Sequence, residues 1–343
     1  MLRFVDVLAR RYPEHEVFVY SEFPHPELDF TLVNLHHRPI IREGAARYLL
    51  KTIPQANKVD GLDTMVFNFI QSPFLRNATV LMHDILPQTH PRFFSFRFVV
   101  RCWLYFGISA LIAKHFFTIS DYSRMEIRKI YPWTRRKSIR VLHIGPSFSA
   151  ETYFAADDGA PLPAGTPTGR YVLIVGRIEP RKNVQAAIDA FRAGAPDDVS
   201  LVIVGHREPG IAIDTHGDPR IVELTGISDA ELVTLYRRTA LFLYPSVAEG
   251  FGLPLLDAIL FGAPVISSNR TSMAEVGGDC ATFYDPAAAD ATHWLGARIA
   301  AHFGDDPVPR PELAAREKRA ALYSWVNAVG ELVDGITMDQ RTV

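Results

Sequence analysis

Between Ser246 and Asn269 the chain reads SVAEGFGLPLLDAILFGAPVISSN. An acidic residue, Glu249, sits beside Gly250 and Gly252, which flank Phe251. Pro254 opens an apolar helical run, and Gly262-Ala263-Pro264 closes it ahead of a β-branched strand. Glycine permits main-chain conformations and close approaches that a Cβ would block. Proline suits the first helical position, where its missing N–H would find no partner. Such a loop aims unpaired amides and a helix N-terminus at one point, which favours an anion. A tight turn before a packing helix shares this local composition. A second segment, LIVGRIEPRKN, sets Gly176, Arg177, Arg181 and Lys182 just past an apolar strand. Open α/β sheets bind ligands at such strand ends. Arginine forks onto phosphate oxygens, while lysine offers a compact point charge. Alone, the cations read as solvated charges beside a helix start; with the first segment present they read as a phosphate clamp.

Two more segments precede these. VLMHDILP places His83 and Asp84 at a strand end, and in FTISDYSR Ser120 is positioned to cap a helix. The four segments, in this order, resemble the retaining GT-B glycosyltransferases, the large group 1 family of bacterial mannosyl- and glucosyltransferases. The resemblance covers most of the chain from about Val66 to Asn327. It implies a nucleotide-sugar donor whose departing diphosphate gathers negative charge, met by Arg177 and Lys182. It also implies that Glu249 contacts hydroxyls of the transferred sugar. The amides of Phe251, Gly252 and Leu253, with Gly176, would bind the sugar and diphosphate. The family's second acidic residue, eight positions after the first, normally holds the nucleotide ribose. Here it is Asp257, one methylene shorter than the usual Glu. His83 matches a histidine lining the cleft near the sugar, although a lone His beside an apolar strand is more often structural. Asp84 fits a turn or a cap. No metal is implied, because the Arg/Lys pair takes its place. RIEPRKN is most similar to the mannosyltransferase branch, which makes GDP-mannose the first expectation for the donor and a UDP-sugar the other. The acceptor would be a saccharide or a lipid-linked glycan in polysaccharide biosynthesis.

Rival chemistries find little support. There is no G-x-G-x-x-G, Walker phosphate loop or G-x-S-x-G elbow. His36 and His37 have no ligand-spaced Cys or carboxylate nearby, so a metal site is not expected. A glycosidase would recruit Glu249 and Asp257 and leave the cations without a task. A net charge of −2 gives no overall reason to bind nucleic acid. Two distant cysteines, Cys102 and Cys280, make no disulfide framework, which points to a reducing cytoplasm. The most hydrophobic stretch has an uncharged run of 12 residues between Arg101 and Lys114. That falls short of the roughly 18–20 needed to span a bilayer. It reads as a buried helix or as an interfacial one in peripheral contact with the inner face of the membrane.

At 343 residues the chain is long enough for two domains of about 100–200 residues each. Short apolar strands alternate with helical patterns throughout, which predicts α/β architecture with parallel sheets. EVFVYS, TMVFNF, ATVLMHD, HFFTIS and IRVLHIG read as strands of the first half. YVLIVG, VSLVIVG, ALFLYP, PVISS and ATFY do so in the second. Asn183 and Ser228 are expected helix caps, Ser228 with a capping box to Glu231. The expected division is an acceptor-side domain at 1–155 and an Ala/Pro/Gly-rich linker at 156–169. A nucleotide-sugar domain follows at 170–323, and a C-terminal helix at 324–343 packs back on the first. With the resemblance, this is the GT-B fold, two Rossmann-like domains facing across a cleft. The first domain opens with a helix where the family has a strand and a Gly-rich loop, so its first strand is expected to be absent. The alternative reading is therefore a catalytically silent nucleotide-binding or scaffold homologue.

Overall fold

The computed structural model describes residues 1–41, 44–156 and 159–338. The chain divides into two compact units, Met1–Gly145 with Tyr323–Val343, and Pro146–Leu322.

The first unit opens with α1 (Leu2–Arg11), whose inward side buries Phe4 and Ala9. Then come β1 (Val17–Ser21), β2 (Leu35–Pro39), α2 (Ile53–Asp60), β3 (Met65–Asn68) and β4 (Ala78–Leu81). After these lie α3 (Phe96–Ile112), β5 (His115–Thr118), α4 (Asp121–Ile130) and β6 (Ile139–Val141). β1 and β2 form a parallel pair, and a separate parallel sheet runs β3-β4-β5-β6. Every residue of β4 and β5 is buried, as continuous apolar runs covered on both faces should be. Among the described residues no strand joins the pair to the larger sheet. The first element of this unit is a helix, not a strand.

The second unit holds β7 (Arg170–Val175), α5 (Val184–Gly194), β8 (Val199–Val204), β9 (Ile221–Leu224), α6 (Asp229–Arg238) and β10 (Leu241–Tyr244). α7 (Leu253–Leu260), β11 (Val265–Ser268), β12 (Thr282–Tyr284), α8 (Ala291–Phe303) and α9 (Leu313–Leu322) follow. Its parallel sheet runs β12-β11-β10-β7-β8-β9, which is the doubly wound order read from the far edge. The strand order therefore reverses between β7 and β10, and their carboxyl ends flank the switch point. Ile188 and Phe191 of α5, Leu201 and Ile203 of β8, and Leu295 and Ile299 of α8 share its core.

Several elements differ from expectation. β2 and β9 were not foreseen. α5 starts beside Asn183, but this residue adopts φ 54° and makes no side-chain capping bond. Ser228 does form the reciprocal box with Glu231, and Ser120 accepts from Ser123 N–H at 3.1 Å. α7 begins at Leu253, so Pro254 is its second residue, still within the turn that needs no donor. Residues 146–154, placed by the sequence with the first half, pack in the second unit, where buried Tyr153 meets Phe261 at 4.6 Å between ring centroids. Of the expected linker, 157–158 lie outside the described residues. The last helix, α10 (Trp325–Thr337), belongs to the first unit: Trp325 meets Phe4 edge-on at 5.2 Å. Of the expected C-terminal segment, 339–343 lie outside the described residues.

α5 and α8 meet through two glycines. A Cβ on Gly194 would lie 1.9 Å from the carbonyl oxygen of Gly296. Backbone cannot swing aside as a flexible side chain does. Gly194→Ala is therefore expected to destabilise the second unit by about 1–3 kcal/mol. A thermal melt followed by circular dichroism would show it, and an unchanged midpoint would mean that the helices do not touch there.

Candidate active site

Two loops leave the carboxyl ends of β7 and β10, and their side chains form one ionic cluster. Glu249, in the loop after β10, is buried to 6% exposure. Its Oε2 receives Arg181 Nη1 at 2.6 Å, and its Oε1 lies 2.6 Å from Lys182 Nζ. Arg181 also donates to the Ala248 carbonyl at 3.0 Å and pairs with Glu179 at 2.7 Å. Lys182 further donates to the hydroxyl of Tyr244, the last residue of β10, at 3.2 Å. Backbone reinforces the junction, because Val247 N–H donates to the Arg181 carbonyl at 2.7 Å.

The local sequence explains why these groups converge. Gly176 has φ +142°, and a Cβ there would stand 3.3 Å from Lys182 Nζ, so glycine lets the lysine chain fold across the strand end. The Glu249 loop is tied from below by hydroxyls. Ser268 donates to the Ser246 carbonyl at 2.5 Å, Ser272 to those of Glu249 and Phe251 at 3.1 and 2.8 Å, and Thr271 accepts from Glu249 N–H at 3.0 Å.

Burial pushes the Glu249 carboxyl up, but Lys182 and Arg181 together outweigh it and hold the group below its usual range. Burial, with the Glu249 charge adding, drives the Tyr244 hydroxyl far above its ordinary value, so it stays protonated. Glu179, Arg181, Glu249 and Lys182 carry two charges of each sign. Arg177 is different: it is exposed and has no ion pair among the described residues. It is thus the uncompensated cation at the strand end. Lys182 has three N–H donors and spends two on Glu249 and Tyr244, leaving one for a ligand.

α7 starts directly beyond this cluster. Gly252, with φ +109°, stands at its N-cap and makes no side-chain capping bond. The N–H groups of Gly252 and Leu253 have no protein acceptor among the described residues. Phe251 is buried beneath them. Free amides at a helix N-terminus of this kind favour an anion. Asp257, also on α7, is 3% exposed, and its Oδ1 accepts from Ser147 N–H at 3.0 Å and from Tyr153 Oη at 2.5 Å. It ties the 147–153 segment to the helix.

His83 belongs to the first unit, just past β4. Its Nε2 lies 3.1 Å from Asn68 Oδ1, which makes Nε2 the protonated nitrogen and leaves Nδ1 an acceptor. The ring packs 5.2 Å from Phe69, itself at φ +62°, a strained conformation for a bulky residue. Burial, with the amino-terminal charge adding, pushes the imidazole down to about 4, so it is neutral at physiological pH. Sequence reasoning missed Glu179, Tyr244 and Asn68 as partners, and it treated Arg181 only as part of a basic run. The one legible signal was the proximity of Glu179 and Arg181 to Lys182 in EPRK.

Residues 169–295 match the family described as Glycosyl transferases group 1. O-antigen chain mannosyltransferase B of Escherichia coli is 29% identical over 294 residues, which is 78% of this chain and 72% of that protein. The serotype-specific mannosyltransferase WbdA of Escherichia coli is 29% identical over 242 residues, 63% of this chain and 28% of that longer protein. Among solved structures, sucrose-phosphate synthase from Thermosynechococcus elongatus superposes with TM-score 0.72 at 16% identity, covering 99% of this chain and 92% of its own. Anabaena Alr3699/HepE in complex with UDP and glucose gives TM-score 0.70 at 16% identity, covering 98% and 95%. These likenesses establish the fold as GT-B.

Two measurements check the electrostatics. Because Glu249 titrates below its unfolded value, its ion pairs stabilise the protein above the usual carboxylate pKa and are lost as pH falls through the lowered one. Acid unfolding should therefore be shallower in Glu249→Gln, which starts less stable at neutral pH. Parallel acid limbs in the two proteins would contradict the pairing. For His83, the imidazole NMR signals should titrate near 4; a midpoint close to 6.5 would mean the ring is not desolvated.

Proposed function

We propose that this chain, a GT-B glycosyltransferase with a group 1 domain at residues 169–295, moves a hexose from a nucleoside-diphosphate sugar to a saccharide or lipid-linked acceptor in glycan biosynthesis. The observation that carries this reading is Glu249, a buried carboxylate fixed between Arg181 and Lys182 at the doubly wound switch point, with the free α7 amides alongside. A fixed, ionised carboxylate accepts hydrogen bonds from sugar hydroxyls. When the bond from C1 to the diphosphate oxygen breaks, both electrons leave with the phosphate. Arg177, the spare donor of Lys182 and the amides of Gly252 and Leu253 would meet that charge. The donor is GDP-mannose in this reading, on the strength of mannosyltransferase relatives at 29% identity; a UDP-sugar is the alternative, suggested by the HepE complex. Transfer proceeds with retention, the departing phosphate helping to deprotonate an acceptor that attacks on the same face, and cationic side chains serve where other transferases use a metal. Asp257 would reach the ribose only by sharing its carboxylate with Tyr153 and Ser147. A lipid-linked acceptor would make the protein a peripheral one at a bilayer surface.

A nucleotide-binding homologue without transfer activity is the second reading, favoured by the divided sheet of the first unit. A thermal-shift screen against UDP, GDP and ADP, followed by a transfer assay with the matching nucleotide sugars, separates the two. A preferred nucleotide at a hundred times its Kd should add about 2.7 kcal/mol of stability. Binding without turnover selects the second reading, and no response to any nucleotide sinks both. Arg177→Ala and Lys182→Ala should each lower kcat by about 100-fold or more. Only Lys182→Ala should also lower Tm, because it leaves Glu249 with one partner, whereas Arg177 holds nothing in the fold. Equal Tm losses would put Arg177 inside the structural cluster and remove it from the phosphate site. Asp257→Asn should weaken nucleotide binding in calorimetry if the carboxylate reaches the ribose; unchanged affinity would confine Asp257 to its contact with Tyr153.

A further inference from the structure

α3 uses one face for the core and turns an apolar stripe to solvent. Cys102, Phe106 and Ala110 are buried against β4, β5 and α4, and Val99 is buried as well. On the other side Phe96 is 81% exposed, Leu104 57% and Leu111 56%, with Val100 and Trp103 nearly half exposed. Their spacing of three and four places them on one helical face. A surface helix ordinarily carries polar residues there. Trp133, 47% exposed, extends the patch: its ring and that of Trp103 both pack on Tyr131, at 5.4 and 5.8 Å. Contiguous exposed apolar surface of this kind marks a binding face.

The charge around it identifies the partner. Arg97 and Arg101 are exposed on α3, and Arg135 and Arg136 are exposed beside Trp133. None of the four has an ion pair among the described residues. Between residues 85 and 150 the chain has eleven Lys and Arg against two Asp and Glu, although its net charge is −2. A second copy docking through the same face would bring these cations together. An anionic bilayer satisfies both features, apolar side chains below the headgroups and arginines among the phosphates. Tryptophan belongs at that boundary. Among the described residues no helix is long and apolar enough to cross a membrane, so α3 would lie in the surface plane.

We propose that the exposed face of α3, with Trp133, docks the protein on an anionic lipid surface. The inference does not depend on sugar transfer and is tested without donor or acceptor. The full chain is sedimented with phosphatidylcholine vesicles, with and without roughly one-third phosphatidylglycerol. Binding is expected on the anionic vesicles and is weakened by salt. Leu104→Glu should reduce partitioning about tenfold or more. Arg97→Gln with Arg101→Gln should cost about fivefold per charge removed. All three positions are exposed, so melts of the variants should match the parent. Brominated lipid should quench the parent more than Trp103→Phe. Absence of vesicle binding, or binding that neither set of substitutions alters, overturns the proposal. So does a dimer in analytical ultracentrifugation that Leu104→Glu dissolves, which would assign the face to a second copy.

Discussion

A carboxylate cannot be buried unpaired at acceptable cost, since the penalty runs to several kcal/mol even after relaxation. Glu249 is buried, so the chain must bring cations to it. Arg181 and Lys182 do so from a loop 68 and 67 positions earlier. That single requirement fixes where the loops after β7 and β10 must lie. The doubly wound order makes it possible, because β7 and β10 are sheet neighbours although two strands intervene in sequence. The ion pairs thus convert a topological adjacency into a rigid side-chain arrangement, and α7 starts from the loop they hold.

The three basic residues of this segment have separate duties. Arg181 reaches Glu179, Glu249 and the Ala248 carbonyl at once, which needs the planar fork of a guanidinium; a lysine could not span all three. Lys182 divides its donors between structure and the open site. Arg177 is left without a structural task, and it supplies the net positive charge in a cluster that is otherwise balanced. A balanced cluster is stable by itself, and in the proposed reading Arg177 and the free amides would give an anion its preference. In that reading the site is organised in advance, the condition under which fixed dipoles and charges lower a barrier most effectively.

How much of this the sequence disclosed follows from which forces are local. The buried strands were legible because continuous apolar runs have few other uses, as in VSLVIVG and ALFLYP. β2, with LHHRP, and β9, with IVEL, escaped because edge strands are short, half-buried and mixed in polarity. Asn183 misled because its residue type suits a cap, yet the turn after Lys182 demands a left-handed backbone that asparagine also tolerates. In the site, the Gly, Pro and acidic spacing exposed the loop and its helix N-terminus. What it could not expose was pairing across the fold: Asp257 with Tyr153, Tyr244 with Lys182, and the use of Arg181 as a strut.

The two units solve the problem of sheet edges differently. In the second, six strands pair without interruption and the covering helices bury both faces. In the first, β1 and β3 head two separate sheets, and each keeps an edge that no described strand occupies. Cohesion there comes instead from helices: α10 buries Ala328, Val329 and Leu332, and Trp325 sits over Gly145, where a Cβ would lie 2.2 Å from its ring. Gly335 similarly lets α10 approach Phe117 of β5, since a Cβ would stand 2.6 Å from that ring. The terminal helix therefore packs on α1 through Trp325 and on β5 through Phe117. His83, with its Nε2 on Asn68 and its ring against Phe69, lies just past β4, whose sheet neighbour β5 carries the Phe117 that α10 covers from more than two hundred residues further along the chain.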